Sequence, residues 1–158
     1  MTYVRQYTSK TKLILLAAVC LVLVVSVVKR STATIGLVNK ADLSGPWQMT
    51  LLGNTGCGIS SMLVTFTLNG SGSATNATIT SHVINPTQTC PDGAVSTGNN
   101  FTINSLNSNG SGVAGLTCGS GCGWTFNIQV APDRSIMNLV DVATFNPNNL
   151  LQGTAVHQ

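Results

Sequence analysis

Ser61-Met62-Leu63-Val64-Thr65-Phe66-Thr67-Leu68, followed at once by Asn69-Gly70-Ser71-Gly72, is the stretch that decides how this chain folds. Met62, Val64, Phe66 and Leu68 share one side of an extended backbone, with Thr65 and Thr67 opposite. Successive side chains of a strand point to opposite faces, so the alternation buries one face and wets the other. The glycine-rich tetrapeptide then supplies residues that accept positive φ at little cost, as a tight reversal requires. The pattern recurs. Trp124, Phe126, Ile128 and Val130 alternate in the same way, and Asn109-Gly110-Ser111-Gly112 repeats the turn.

Working outward, period-two segments are expected over 46–52, 61–68, 74–84, 100–106, 112–118, 123–131, 135–143 and 150–156. Gly119-Ser120-Gly121 and Ala131-Pro132-Asp133-Arg134 read as further turns. The longest connection, 85–99, holds Pro86, Cys90 and Pro91. In the seventh segment Ile136, Val140 and Val142 compete with Met137 and Leu139 for the inner face. The fold class is all-β. An eight-stranded antiparallel up-and-down barrel, which removes exposed edges, is favoured by the short connectors. A two-sheet β-sandwich is the alternative.

Composition agrees. Only 7% of residues are charged, against roughly 25% in an ordinary soluble domain. Gly, Ser, Thr and Asn take their place, which suits strands and turns rather than amphipathic helices. The net charge of +3 is unevenly spread. Arg5, Lys10, Lys12, Lys29 and Arg30 flank an apolar run, whereas beyond it Lys40 and Arg134 face Asp42, Asp92, Asp133 and Asp141. A slightly acidic domain offers no basic stripe for nucleic acid, and none is expected as a partner.

The apolar run covers 13–28 and is bounded by cations. As a helix it would span roughly 24 Å, somewhat less than the roughly 30 Å hydrocarbon core. Lysine and arginine at its ends can snorkel to close that gap. The expected organisation is a basic tail at 1–12, a transmembrane anchor or uncleaved signal at 13–30, a linker at 31–41 and a domain at 42–158. A cleaved signal with a site after Ala33 is the alternative. Both export the domain, to a single-pass position at the cell membrane facing periplasm or exterior, or as a secreted protein.

Export gives four cysteines their context. Cys57, Cys90, Cys118 and Cys122 form an even set, read as two disulfides. If the strands simply run up and down, the first, third, fifth and seventh connections share one end. All four cysteines lie in or beside those connections. Cys57 is then expected to pair with Cys90 across the two longest loops, and Cys118 with Cys122 across a hairpin.

No catalytic set emerges. Glu is absent and the aspartates are widely spaced, so paired carboxylates are not expected. His82 reads as a surface strand residue and His157 as part of a frayed end. The glycines at 119, 121 and 123 are turn glycines without a helix to receive a phosphate. No metal or cofactor is expected. Trp47, Phe66, Phe101, Trp124 and Phe126 alternate as core residues, or as the lining of an apolar pocket. Asn69, Asn76, Asn100 and Asn109 each begin an Asn-x-Ser/Thr pattern, an acceptor only in a eukaryotic secretory pathway.

Leu43-Ser44-Gly45-Pro46-Trp47, the short Gly/Ser-rich strands and the late Arg134 resemble small exported bacterial β-barrel domains of the lipocalin-like type. The resemblance covers 43–156. It implies a barrel whose first-strand Trp, here Trp47 after Gly45, closes one end beneath a late Arg, here Arg134, and it implies small-ligand binding. The short helix that precedes the barrel in that family is not expected from this sequence.

Two functions follow as expectations. The first is a non-enzymatic module that binds protein or polysaccharide through its disulfide-bearing loops. The second is a carrier of a small apolar ligand within the barrel. A filament subunit held by the N-terminal segment is a further reading.

Overall fold

The computed structural model describes residues 36–118, 122–142 and 150–158. The segment expected to anchor the chain, 13–28, lies outside them. Among the described residues no helix is long and apolar enough to cross a membrane.

Eight antiparallel strands follow one another around a closed barrel. They are β1 (Gly45–Thr55), β2 (Gly58–Leu68), β3 (Ser73–Val83), β4 (Val95–Leu106), β5 (Ser111–Cys118), β6 (Cys122–Val130), β7 (Ile136–Asp141) and β8 (Leu150–His157). Each pairs with its sequence neighbours, and β1 closes against β8 from Trp47–His157 to Asn54–Leu150. The sandwich alternative is therefore set aside. Alternation does what the sequence implied: Trp47, Met49 and Leu51 point inward from β1, and Met62, Val64, Phe66 and Leu68 from β2. On β7 the competition resolves in favour of Met137 and Leu139, with Ile136 and Val140 outside.

Trp47, Phe101 and Phe126 are among the largest fully buried side chains. Phe66 packs on Phe101 with ring centroids 4.5 Å apart. Trp124 is only partly buried and leans on this cluster. Four of the five aromatics expected as core or pocket are thus core.

β4 begins at Val95, whereas the sequence suggested a start near 100. Its first four residues are all exposed and carry no apolar alternation. Pairing with β3, not local pattern, makes them a strand. The register shifts between Ala74 and Ala77 and again between Ala77 and Ile79. Buried Asn99 ties this irregular patch together, donating from Nδ2 to the carbonyls of Ala77 (3.1 Å) and Ser96 (2.9 Å).

One end of the barrel carries three hairpins built on a shared device. Asn69, Asn109 and Asp133 each accept, at the side-chain oxygen, from the backbone N–H and the hydroxyl of the serine two residues on. This Asx turn mimics a backbone turn. It holds the Asp133 carboxyl below its ordinary range, chiefly through the Ser135 hydroxyl.

The same end is capped by the incoming chain. A short 3-10 helix, Lys40–Leu43, has Asn39 and Asp42 in a reciprocal capping box. Here the expectation of no short helix before the barrel is corrected. Residues 36–41, expected as linker, belong to the same compact unit as the barrel. Val38 and Leu43 are buried, and the Val38 N–H donates to the Ser108 carbonyl. Lys40 Nζ reaches the Asn104 carbonyl at 3.1 Å.

Trp47 and Arg134, which the resemblance links, each hold the incoming segment. The Trp47 ring stacks on His157 at 4.8 Å, and its Nε1 donates to the Leu43 carbonyl at 2.8 Å. Arg134 ties down the incoming segment through Asp42 (3.3 Å) and the Leu37 carbonyl (3.2 Å). His157, expected in a frayed end, is the stacking partner.

Candidate functional site

At the opposite end, Cys57 and Cys90 form a disulfide, with Cα atoms 5.7 Å apart and a sequence separation of 33. This is the pairing expected from strand parity together with the closeness of Cys118 and Cys122 in the chain. It joins the β1–β2 turn to the β3–β4 loop. Threonines support both partners: the Cys57 N–H donates to Thr55 Oγ1 and the Cys90 N–H to Thr87 Oγ1. Cys118 is also disulfide-bonded, and the β5–β6 register sets it opposite Cys122. The Cys122 side chain and residues 119–121 lie outside the described residues.

The β3–β4 loop has a second brace. Asp92 Oδ1 lies 2.6 Å from His82 Nδ1 and accepts from the Val83 N–H at 3.1 Å. The Val83 N–H is the main reason the Asp92 carboxyl sits below its ordinary range, with His82 adding to it. His82, expected at the surface, is indeed exposed. Its contact with Asp92 was not legible in the sequence.

Around this clamped end runs a collar of apolar side chains. Leu52, Ile59, Ile84, Val95 and Leu150 are each more than half exposed. The registers bring four of them near one another, while Val95 lies across from Thr80 at the start of β4. Asn54 stands between Ile59 on β2 and Leu150 on β8, and Ile84 hydrogen-bonds across to Ile59. Leu52 lies one pleat further down β1. None was singled out from the sequence, because an isolated outward-facing Leu or Ile is ordinary until its neighbours are known.

Inside the same end sit two buried polar atoms, Asp141 Oδ2 and Trp124 Nε1, that have no hydrogen-bond partner among the described residues. Asp141 is paired with Phe126, two residues along β6 from Trp124. Burial pushes the Asp141 carboxyl above its ordinary range, opposed by hydrogen bonds from the Leu151 and Val142 backbone. Asp141 was read as one of several scattered aspartates. Its inward position follows from the β7 face, which only packing decides.

This environment has a pH signature. A raised carboxyl favours the neutral form in the fold, so its contribution is present at acid pH and lost as pH rises through the raised value. Asp141→Asn is expected to stabilise the domain by about 1 kcal/mol at pH 7. At pH 3 the gain should vanish. Thermal melts of the two proteins at both pH values check this, and an equal gain at pH 3 would remove the burial explanation.

Among the described residues, no three His, Cys, Asp or Glu side chains gather as a metal site would require. Comparison with protein-family models, curated proteins and solved structures finds no match to this chain.

Proposed function

We propose that this chain is a non-enzymatic, extracytoplasmic module that holds a protein partner against its disulfide-bearing end. The carrying observation is the collar: Leu52, Ile59, Ile84, Val95 and Leu150 lie exposed around one rigid rim. Several exposed apolar side chains gathered at one end favour a protein contact. Their apolar character favours a protein over a polysaccharide here. Charge argues against an anionic lipid surface, since Lys40 and Arg134 are both engaged at the other end while Asp92 and Asp141 belong to this one.

Export is supported by the Cys57–Cys90 bond, since such bridges persist in oxidising compartments. Attachment through 13–28 and a lipocalin-like ancestry complete the reading. The barrel supports that ancestry at the level of architecture, and architecture does not fix activity.

A second reading, a carrier of a small ligand, draws on Asp141 Oδ2 and Trp124 Nε1, an acceptor and a donor without a partner among the described residues at one end. Against it, Trp47, Phe66, Phe101 and Phe126 occupy the interior as core.

The test is a photo-reactive residue at position 59 or 150 of the full chain in its native host. A discrete protein adduct is expected there and not from position 71 at the capped end. Leu52→Ser should reduce the adduct at least fivefold, as loss of a central apolar anchor does. Equal adducts from both ends would sink the proposal.

A further inference from the structure

The barrel wall is interrupted on one flank. The β2–β3 ladder runs from Ser60–Val83 to Thr65–Thr78 and stops there. The chain resumes contact only at the turn, where the Asn69 N–H donates to the Ser73 carbonyl. Between these points Phe66, Thr67 and Leu68 have no register partner on β3. On the β3 side the cause is visible. Thr75 and Asn76 are consecutive exposed residues, inside the register shift between Ala74 and Ala77. One residue of β3 is extra to the β4 register here, the local disruption a bulge brings.

A cleft of about 610 Å3 occupies this gap and the adjoining outer face of β1. Gln48, Thr65, Thr67, Thr75, Asn76 and Thr78 line it. Gln158 closes one side, held by its N–H to the Pro46 carbonyl. No lining side chain carries a formal charge. Every polar side chain there is an amide or a hydroxyl, so the wall offers donors and acceptors together. Exposed Pro46 adds an apolar patch.

We infer that this cleft is a binding site for a neutral oligosaccharide. The lining side chains offer phosphate, carboxylate or ammonium groups no ion pair, whereas sugar hydroxyls that both donate and accept match the amides and hydroxyls, and the apolar C–H faces of a sugar match Pro46, Trp47 and Phe66. The size falls within the usual range of small-ligand clefts, about 300–1,000 Å3. An added peptide strand is the competing occupant, because the ladder is open. The opening is too short for it: in an antiparallel pair only alternate residues turn their N–H and C=O to a given side. Three unpaired residues therefore offer a visiting strand little more than one pair. This site is separate from the collar and does not depend on the protein-binding reading.

The experiment is 15N-detected NMR titration of the full chain in phosphocholine detergent, which has no sugar headgroup to compete. The probes are maltohexaose, cellohexaose and chitohexaose, with an uncharged Thr/Val hexapeptide beside them. At least one oligosaccharide is expected to shift the amides of Gln48, Thr67 and Asn76 saturably, with millimolar affinity. Asn76→Ala and Thr67→Val should each weaken that binding at least fivefold, while the surface change Asn138→Ala on β7 leaves it unchanged. Dispersed spectra of the variants separate lost binding from lost fold. Failure of all three oligosaccharides to shift these amides saturably would overturn the inference, as would saturation by the peptide alone.

Discussion

Trp47→Ala is expected to destabilise the domain by about 3–5 kcal/mol, the range for removing a large aromatic from a packed core. Trp47 is 1% exposed and sits where three separate segments meet. Its ring stacks on His157 from the last strand, and its Nε1 holds the Leu43 carbonyl of the incoming helix. Alanine would leave a hole beneath Leu43 and strip His157 of its partner. Trp47→Phe keeps most of the buried surface and loses the donor, so about 1–2 kcal/mol is expected. Urea unfolding followed by circular dichroism measures both. An alanine variant within 1 kcal/mol of the parent would show that the cap contributes little to the barrel.

The second large effect belongs to the disulfide. A double change, Cys57→Ser with Cys90→Ser, is expected to cost about 3–4 kcal/mol by loop-closure entropy, given the separation of 33 residues. Cys118→Ser should cost less, because the expected partner, Cys122, lies only four positions on. So short a closed loop restrains the unfolded chain little. The same urea experiment ranks the two. A larger loss at Cys118 would overturn the entropic account, leaving local packing in control. The double change should also loosen the rim that presents Ile59 and Ile84, so the adduct at position 59 should fall with stability held constant by temperature.

These two positions mark how far the sequence reached. Trp47 was legible as core from its place in an alternating segment, and Cys57–Cys90 from the parity of consecutive strands. The partners of Trp47 were not. His157 lies 110 positions away in sequence, and it meets Trp47 only because β1 closes on β8. Gly153 carries the same lesson. In the sequence it merely weakens a strand, yet a Cβ there would lie 1.9 Å from the Thr50 carbonyl oxygen at that closure. The short helix at Lys40–Leu43 escaped notice because one turn has no periodicity to detect.

The candidate sites were less legible than the fold. The sequence indicated which end the cysteines share, and that end does carry the apolar collar. It did not show that Leu52, Ile59, Ile84 and Leu150 converge, since each comes from a different strand or loop. Nor could it reveal the cleft, which follows from one extra residue at Thr75–Asn76 and the loss of pairing opposite Thr67.

What the sequence by itself determined is the local alternation and most of the turns. Period two selected strands, Asx-x-Ser and glycine placed the turns, and short connectors made neighbours pair. What only the tertiary structure decided depends on register and closure: the stacking of His157 on Trp47, the grip of Arg134 on Asp42, the burial of Asp141 and the break between β2 and β3. The physical reason is that alternation fixes which face a side chain takes, but not which strand lies across from it. A one-residue shift in register leaves the pattern of a strand intact while changing all its cross-strand contacts.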